Sequence, residues 1–189
     1  MRATAGSVHI WQADLTAIED DLEDLLCEDE RARAARIVSA RRRALWTRSR
    51  GVLRALLGRY LDRDPLDLCF ALGPHGKPTL LQEGDLRFNL SHSGCLALIA
   101  VTAGREVGVD VECARARYTA EFLDAWVARE AVVKCLGLGL GLPLEGPPPA
   151  DLWTASIDVG PRAAAAVTVA SGPCELRYSD WPPRARRRR

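Results

Sequence analysis

No run of apolar residues in this sequence approaches the ~18 that a membrane-crossing helix needs; even the stretch 96–101 stops at Thr102. No pair of the six cysteines, at 27, 69, 95, 113, 135 and 174, falls into a C-x-x-C or other metal-ligand spacing. With no recognisable secretory leader ahead of them, they read as reduced thiols of a cytosolic, membrane-free protein. Net charge is nearly absent too, at +1 from 26 basic and 25 acidic residues. That balance hides an asymmetry, because arginines crowd into residues 31–63 and again into 184–189, and this suggests an anionic partner without identifying it. No sequence repeat is evident, although helix followed by strands occurs twice. The remaining composition, 48% apolar and 27% charged over 189 residues, suits one domain or two small fused lobes with disorder confined to the ends.

Periodicity supplies the elements. Residues 7–11 read as an opening strand, and 16–30 as a helix with Leu22, Leu25 and Leu26 on one side. From Arg41 to Leu61 apolar residues recur at helical spacing, with arginines on the opposite side, until Pro65 stops the pattern. Gly73 to Pro78 is a loop, after which Leu86, Phe88 and Leu90 alternate with Arg87 and Asn89, so a half-buried strand ends at Ser91-His92-Ser93. Leu96 to Val101 reads as a buried strand, and a turn at 102–106 leads to the alternating Val107 to Glu112, for which antiparallel pairing of the two is the simplest arrangement. Thr119 to Leu136 returns to a helical period before a Gly-rich exit at 137–141; 146–149 is a rigid connector, and Ala163 to Ala170 a further strand.

Several residues could carry chemistry. In Val107 to Glu112 the valines share one face of the strand, so Gly108, Asp110 and Glu112 share the other, with two carboxylates about 6–7 Å apart. Such a pair suits a hard cation, although a lone D-x-E is also an ordinary solvated strand face. Glu130 and Lys134 stand one helical turn apart, either as a surface ion pair of about 0.3–0.5 kcal/mol or as part of a metal–diphosphate site. Ser91-His92-Ser93-Gly94 offers hydroxyls, an imidazole and backbone donors for phosphate. Serine–histidine hydrolysis competes poorly there, because no G-x-S-x-G elbow is present and adjacent side chains on a strand point apart. Gly76-Lys77-Pro78 is by itself only a turn. The cluster Arg31, Arg33, Arg36, Arg41, Arg42 and Arg43 lacks interleaved aromatics, so nucleic acid is a minor contender and the arginines balance Asp and Glu on a solvated face.

Taken in order, Gly76-Lys77-Pro78, Phe88-Asn89-Leu90-Ser91-His92-Ser93, Gly108-Val109-Asp110-Val111-Glu112 and Trp126-x-x-Arg129-Glu130-Ala131-x-x-Lys134-x-x-Gly137 resemble the Sfp-like 4'-phosphopantetheinyl transferases. The likeness runs from about Val8 to Leu144 and includes the trailing Gly139-Leu140-x-x-Pro143-Leu144. It implies an α+β fold of two pseudo-twofold-related lobes, each a long helix packed on a small antiparallel sheet, with coenzyme A in the cleft between them. On that plan residues 1–106 form the N-terminal lobe, 107–183 a shortened C-terminal lobe and 184–189 a disordered basic tail. The resemblance further implies a magnesium-dependent enzyme, with manganese as a substitute ion, that acts as a monomer on an apo acyl or peptidyl carrier protein. By resemblance Asp110, Glu112 and Glu130 hold the metal with the coenzyme A diphosphate, Lys134 and His92 contact its phosphates, and Ser91 and Lys77 hold the nucleotide end. Glu130 is then the base for the carrier serine.

Three departures from the family pattern stand out. Arg129 replaces the lysine usual before the helix glutamate. The family's arginine near Leu45 is absent, with Arg43, beside Arg41 and Arg42, as the available substitute. Only 18 positions (130 − 112) separate Glu112 from Glu130, where the family inserts further helical turns. That shortening keeps an alternative open: a non-catalytic homologue that binds coenzyme A or a carrier protein.

Overall fold

The computed structural model describes residues 1–18, 22–81, 84–139 and 147–183. Outside the described residues lie 19–21 of the expected first helix, the Gly-rich exit and the family match beyond Gly139, Gly146 of the connector, and the basic tail at 184–189.

Among the described residues, chain order runs β1 (Ser7–Asp14), a 3-10 turn (Leu22–Leu25), α1 (Glu28–Ala35), α2 (Ala40–Leu61), a second 3-10 turn (Pro65–Asp67), β2 (Phe70–Leu72), β3 (Pro78–Leu80), β4 (Leu86–Ser93), β5 (Leu96–Ala103) and β6 (Val107–Cys113). Then come α3 (Ala120–Leu136), β7 (Trp153–Ser156), β8 (Ala163–Val169) and β9 (Glu175–Trp181). This is an α+β chain with small sheets and few helices. No helix among the described residues is long and apolar enough to cross a membrane, and none of the six cysteines is in a disulfide.

The two long helices begin and end where their terminal residues supply the missing hydrogen bonds. Ser39 caps α2 by accepting the Arg42 N–H, and Thr119 caps α3 by accepting that of Phe122 at 3.2 Å. Gly137 ends α3 in the left-handed conformation (φ 71°), which glycine adopts without steric penalty.

Alternation along the strands builds a stack of four layers: α2, a first sheet, a second sheet and α3. The first sheet is ordered β4-β5-β1-β9 and the second β6-β8-β7. Trp11 and Ala13 of β1, with Ala97, Ile99 and Val101 of β5, bury against Val52, Leu53, Leu56 and Leu57 of α2. The intervening Val8, Ile10, Leu98 and Ala100 face the other way, onto Val107, Val109, Val111, Ala165, Val167 and Val169 of the second sheet. Being covered on both faces, β5 reads in the sequence as a continuous apolar run. The far face of the second sheet carries Ala164 and Ala166 against Leu123, Val127 and Ala131 of α3.

Four expectations need correcting. β5 and β6 are not paired with each other: β5 lies between β4 and β1, while β6 pairs with β8 (Val109↔Val167), because the turn between them carries the chain from one sheet to the next. The helix expected over 16–30 is interrupted, a 3-10 turn being followed by a separate α1 that starts beyond Cys27. Residues 107–183 do not all stay with the second sheet, since β9 returns to the edge of the first. It runs parallel to β1 (Val8↔Leu176, Gln12↔Asp180), so that sheet is not wholly antiparallel.

α3 sits close on β6 because residue 108 has no side chain. A Cβ there would lie 2.1 Å from the Ala131 carbonyl oxygen and 2.3 Å from the Cys135 nitrogen. Both are helix backbone, which cannot swing aside. Gly108→Ala is therefore expected to lower stability by about 1–3 kcal/mol or more, read from chemical denaturation, by prising α3 off the sheet; an unchanged midpoint would show that α3 is not held by this contact.

Candidate active site in the cleft between the sheets

β4 is the outer strand of the first sheet and β6 the outer strand of the second. Where they meet, side chains of one bond to the backbone of the other. Asn89 Oδ1 accepts the Val109 N–H at 2.9 Å, Ser91 Oγ that of Val111 at 3.4 Å, and Ser93 Oγ that of Cys113 at 3.1 Å. Positions 89, 91 and 93 share one face of a strand, so a period of two on β4 matches a period of two along the free edge of β6. Each serine also spends its hydroxyl proton on a carboxylate: Ser91 donates to Asp110 Oδ1 and Ser93 to Glu112 Oε2, both at 2.8 Å.

α3 contributes Glu130 and Lys134 from the face that packs on β6. Lys134 Nζ donates to Asp110 Oδ1 at 2.5 Å and to Ser91 Oγ at 2.9 Å. Asp110 and Glu130 are almost completely buried, at 4% and 5% exposure. Burial first, then the negative charges of Asp110 and Glu112, raise the pKa of Glu130 above the ordinary carboxylate value, against the opposing pull of Lys134 and Arg129. Arg129 lies 3.8 Å from the Glu130 carboxylate. The three acids thus stand close enough to repel one another, with Lys134 the nearest balancing charge to Asp110.

The other oxygen, Asp110 Oδ2, is buried without a hydrogen-bond partner. A buried carboxylate oxygen left unsatisfied is an acceptor in want of a cation or a donor, so the donor set fits a hard divalent ion. Among the described residues, however, no three His, Cys, Asp or Glu side chains are already grouped as an ion cage. The arrangement offers an acceptor that Lys134 has left vacant, with two further carboxylates beside it.

These residues form one side of a cleft of about 870 Å³ whose other wall comes from α1, α2 and β2. Sequence reasoning missed how that wall is built. Glu30, 8% exposed, accepts from Arg50 through Nε at 2.9 Å and Nη2 at 2.5 Å, and from Arg54 Nε at 2.5 Å. It also accepts the Cys27 N–H at the head of α1. Arg54 is 1% exposed and donates further to the carbonyls of Pro65 and Leu68. Both guanidinium groups lie over the Phe70 ring, 5.2 and 5.1 Å from its centre, and Arg33 lies over Trp46. The arginines of α2 are therefore not all on its solvated side. The signal was available: positions 50, 54, 57 and 61 share a helical stripe, so two arginines stand in line with Leu57 and Leu61.

The remaining predicted residues divide. Ser91, His92, Asp110, Glu112, Glu130, Lys134 and Lys77 all line the cleft. The His92 imidazole is held below its ordinary pKa, first by partial loss of water around it and then by the Lys134 cation, with Arg42 adding to the effect and Glu112 opposing it. Lys77 Nζ is engaged by Glu106 at 2.7 Å and by the Cys135 carbonyl at 3.0 Å, so it clamps the β2–β3 loop to the end of α3. Arg43 does not line the cleft; its Nε donates to the Ile37 carbonyl at 3.1 Å, and Arg33 and Arg50 stand at the cleft wall instead.

With this geometry in view, similarity to known proteins can be placed on it. Over 114 residues the chain is 43% identical to the 4'-phosphopantetheinyl transferase HetI of Nostoc sp., a match covering 57% of this chain and 48% of that protein. Over 144 residues it is 31% identical to a putative 4'-phosphopantetheinyl transferase of Synechocystis sp., covering 61% and 58%. Over 118 residues it is 26% identical to the 4'-phosphopantetheinyl transferase Sfp of Bacillus subtilis, covering 50% and 52%. The chain spans about half the length of these relatives. No family model matches it.

The buried Glu30 sets an acid limit on the cleft wall. Burial opposes its ionisation, but Arg50 and Arg54 outweigh that and hold its pKa below the ordinary carboxylate value. A carboxyl whose folded pKa is depressed contributes stability above its unfolded pKa, and that contribution is lost as pH falls through the folded value. The melting temperature should therefore drop on acidification below about pH 4.5, and Glu30→Gln should flatten that part of the profile. Glu30→Ala, which strands the buried Arg54, is expected to destabilise by about 3–5 kcal/mol in a denaturant titration; a mutant as stable as the parent would mean the arginines are compensated elsewhere.

Proposed function

We propose that this chain, a homologue of the Sfp-like 4'-phosphopantetheinyl transferases, moves the phosphopantetheine arm of coenzyme A to a serine of an apo acyl or peptidyl carrier protein and releases adenosine 3',5'-bisphosphate. The observation that supports it best is the convergence of Asp110 and Glu112 on β6 with Glu130 and Lys134 on α3 at one cleft, beside a carboxylate oxygen without a partner. On this reading the cleft separates two lobes related by a pseudo-twofold axis, and the enzyme works as a cytosolic monomer.

Asp110, Glu112 and Glu130 would hold a magnesium ion, with manganese as a substitute. When bound, that ion neutralises charge on the diphosphate being cleaved. The chain's own residues do the rest. Lys134 swings its ammonium from Asp110 toward the diphosphate and supplies positive charge where negative charge accumulates. His92, at the cleft surface, donates to a phosphate oxygen. Glu130 takes the proton of the carrier serine as its hydroxyl attacks the β-phosphorus, directly or through one water. The Ser91 hydroxyl is fully engaged within the protein and Lys77 spends two of its three protons there, so their part is to hold Asp110, α3 and the loop in place. The positive wall formed by Arg33 and Arg50 is the complement for the nucleotide end.

A second reading, a homologue that binds coenzyme A without turning it over, draws on one specific observation. Lys134 is closed on Asp110, and among the described residues no three acids are grouped as a ready ion cage.

Intact-mass spectrometry of apo carrier proteins incubated with the chain, coenzyme A and magnesium separates the two: transfer adds the phosphopantetheine mass to the carrier. Asp110→Ala and Glu130→Ala are expected to reduce transfer by at least 10³-fold, about 4 kcal/mol of barrier, with the melting temperature retained, and chelator should mimic them. Coenzyme A binding with no mass gain across diverse carriers would favour the second reading, and full activity in either mutant would remove the metal assignment.

A further inference from the structure

We propose that Ser93 is a positioning residue for Glu112, fixing which carboxylate oxygen is offered to a divalent cation in the cleft; this rests on the transfer reading and its ion. Hydroxyl arithmetic carries the argument. A serine has one proton to give and two lone pairs to accept with. Ser93 is 6% exposed, and its Oγ already accepts the Cys113 N–H, so its single proton has one charged acceptor within reach, Glu112 Oε2 at 2.8 Å. The Ser93 carbonyl is held as well, by the Cys113 thiol at 3.1 Å. The hydroxyl therefore cannot rotate away without leaving a β6 backbone donor unpaired, and Glu112 is turned with Oε2 toward β4 and Oε1 left for the cleft.

Ser91 does the same one step along: it accepts from Val111 and from Lys134 and donates to Asp110 Oδ1, which leaves Oδ2 without a partner. Asn89, at the third position of the series, only accepts from Val109, and residue 108, where a carboxylate would otherwise stand, is glycine. Hydroxyls thus occur where carboxylates need aiming, and an amide where none does. Ser93 touches neither substrate nor ion; it acts through Glu112.

The test is a manganese titration of the full chain in the presence of coenzyme A, followed by the paramagnetic signal of the free ion, with melting temperature measured in parallel. Ser93→Ala should weaken manganese binding about 10-fold, in the range seen when a group supporting a metal ligand is lost. In a Glu112→Ala background the same change should have no further effect on affinity. Should Ser93→Ala fail to fold, Ser93→Cys keeps the volume with a weaker donor and should give an intermediate affinity. A lower melting temperature with unchanged manganese affinity would make Ser93 a structural stitch only and overturn the proposal. Manganese that does not bind the unaltered chain at millimolar concentration would bring down the ion reading itself, and Ser93's role with it.

Discussion

The molecule depends on one seam, where the side chains of Asn89, Ser91 and Ser93 pair with the backbone of Val109, Val111 and Cys113. β6 has β8 on one side only, so its other edge exposes N–H groups in a largely buried setting. Each such group left unpaired would cost about 1–3 kcal/mol. A neighbouring backbone strand could have satisfied them, and the two sheets would then have merged into one. Side chains satisfy them instead, which lets the sheets stack face to face through Val8, Ile10, Leu98 and Ala100 while they meet at a polar line along one border. Asp110 and Glu112 sit on that line, where the serine hydroxyls that pair with the β6 backbone also reach them.

A seam of this kind constrains charge as well as shape. Hydroxyls that accept from backbone have protons left over, and these are best spent on ionised acceptors. That condition keeps Asp110, which is buried, and Glu112, which is half-buried, at the border. Buried Asp110, half-buried Glu112 and buried Glu130 on α3 would repel one another without a cation, and Lys134 supplies one to Asp110. The opposite wall solves the converse problem: buried Arg54 and half-buried Arg50 share one carboxylate, Glu30, and rest on Phe70. The cleft therefore has an acidic side and a basic side, each fixed by groups that cannot move independently. This division is what a substrate with a metal-bound diphosphate and an anionic nucleotide end would meet.

Much of this was legible in the sequence. The alternation in Val107 to Glu112 showed which face holds the acids, because a strand's side chains have only two directions. The spacing of Glu130 and Lys134, and both long helices, followed from the helical period, with Pro65 and the glycines from Gly137 marking where they stop. Partner choice was not legible. β5 and β6 are adjacent in the chain and both apolar, yet a strand's own residues do not say whether its neighbour lies in the same sheet or in the next. β9 gives little away by itself, because its exposed Arg177, Ser179 and Asp180 look like surface and its place beside β1 is set by residues more than 160 positions earlier. Arg54 was assigned to solvent with the other arginines, since the glutamate that makes its burial tolerable lies 24 positions away on another helix.

Only 18 positions (130 − 112) separate Glu112 from Glu130, and the packing explains why both still reach one cleft. The position of α3 is set by contact and not by tether: the helix backbone at Ala131 and Cys135 lies directly over Gly108. Gly108 is two residues from Asp110 on the same face of β6, and Ala131 and Cys135 immediately follow Glu130 and Lys134. One close approach therefore brings Asp110 and Glu112 into register with Glu130 and Lys134, whatever the length of chain between them. Tyr118, just ahead of α3, stacks on Phe122, which stacks on Trp126, with ring centres 4.9 and 6.2 Å apart, and the three remain 37%, 47% and 41% exposed. Apolar rings at helical spacing are the mark of a face that is normally covered. The contact that organises the carboxylates, Gly108 against Ala131 and Cys135, lies on the other side of the helix from Phe122 and Trp126.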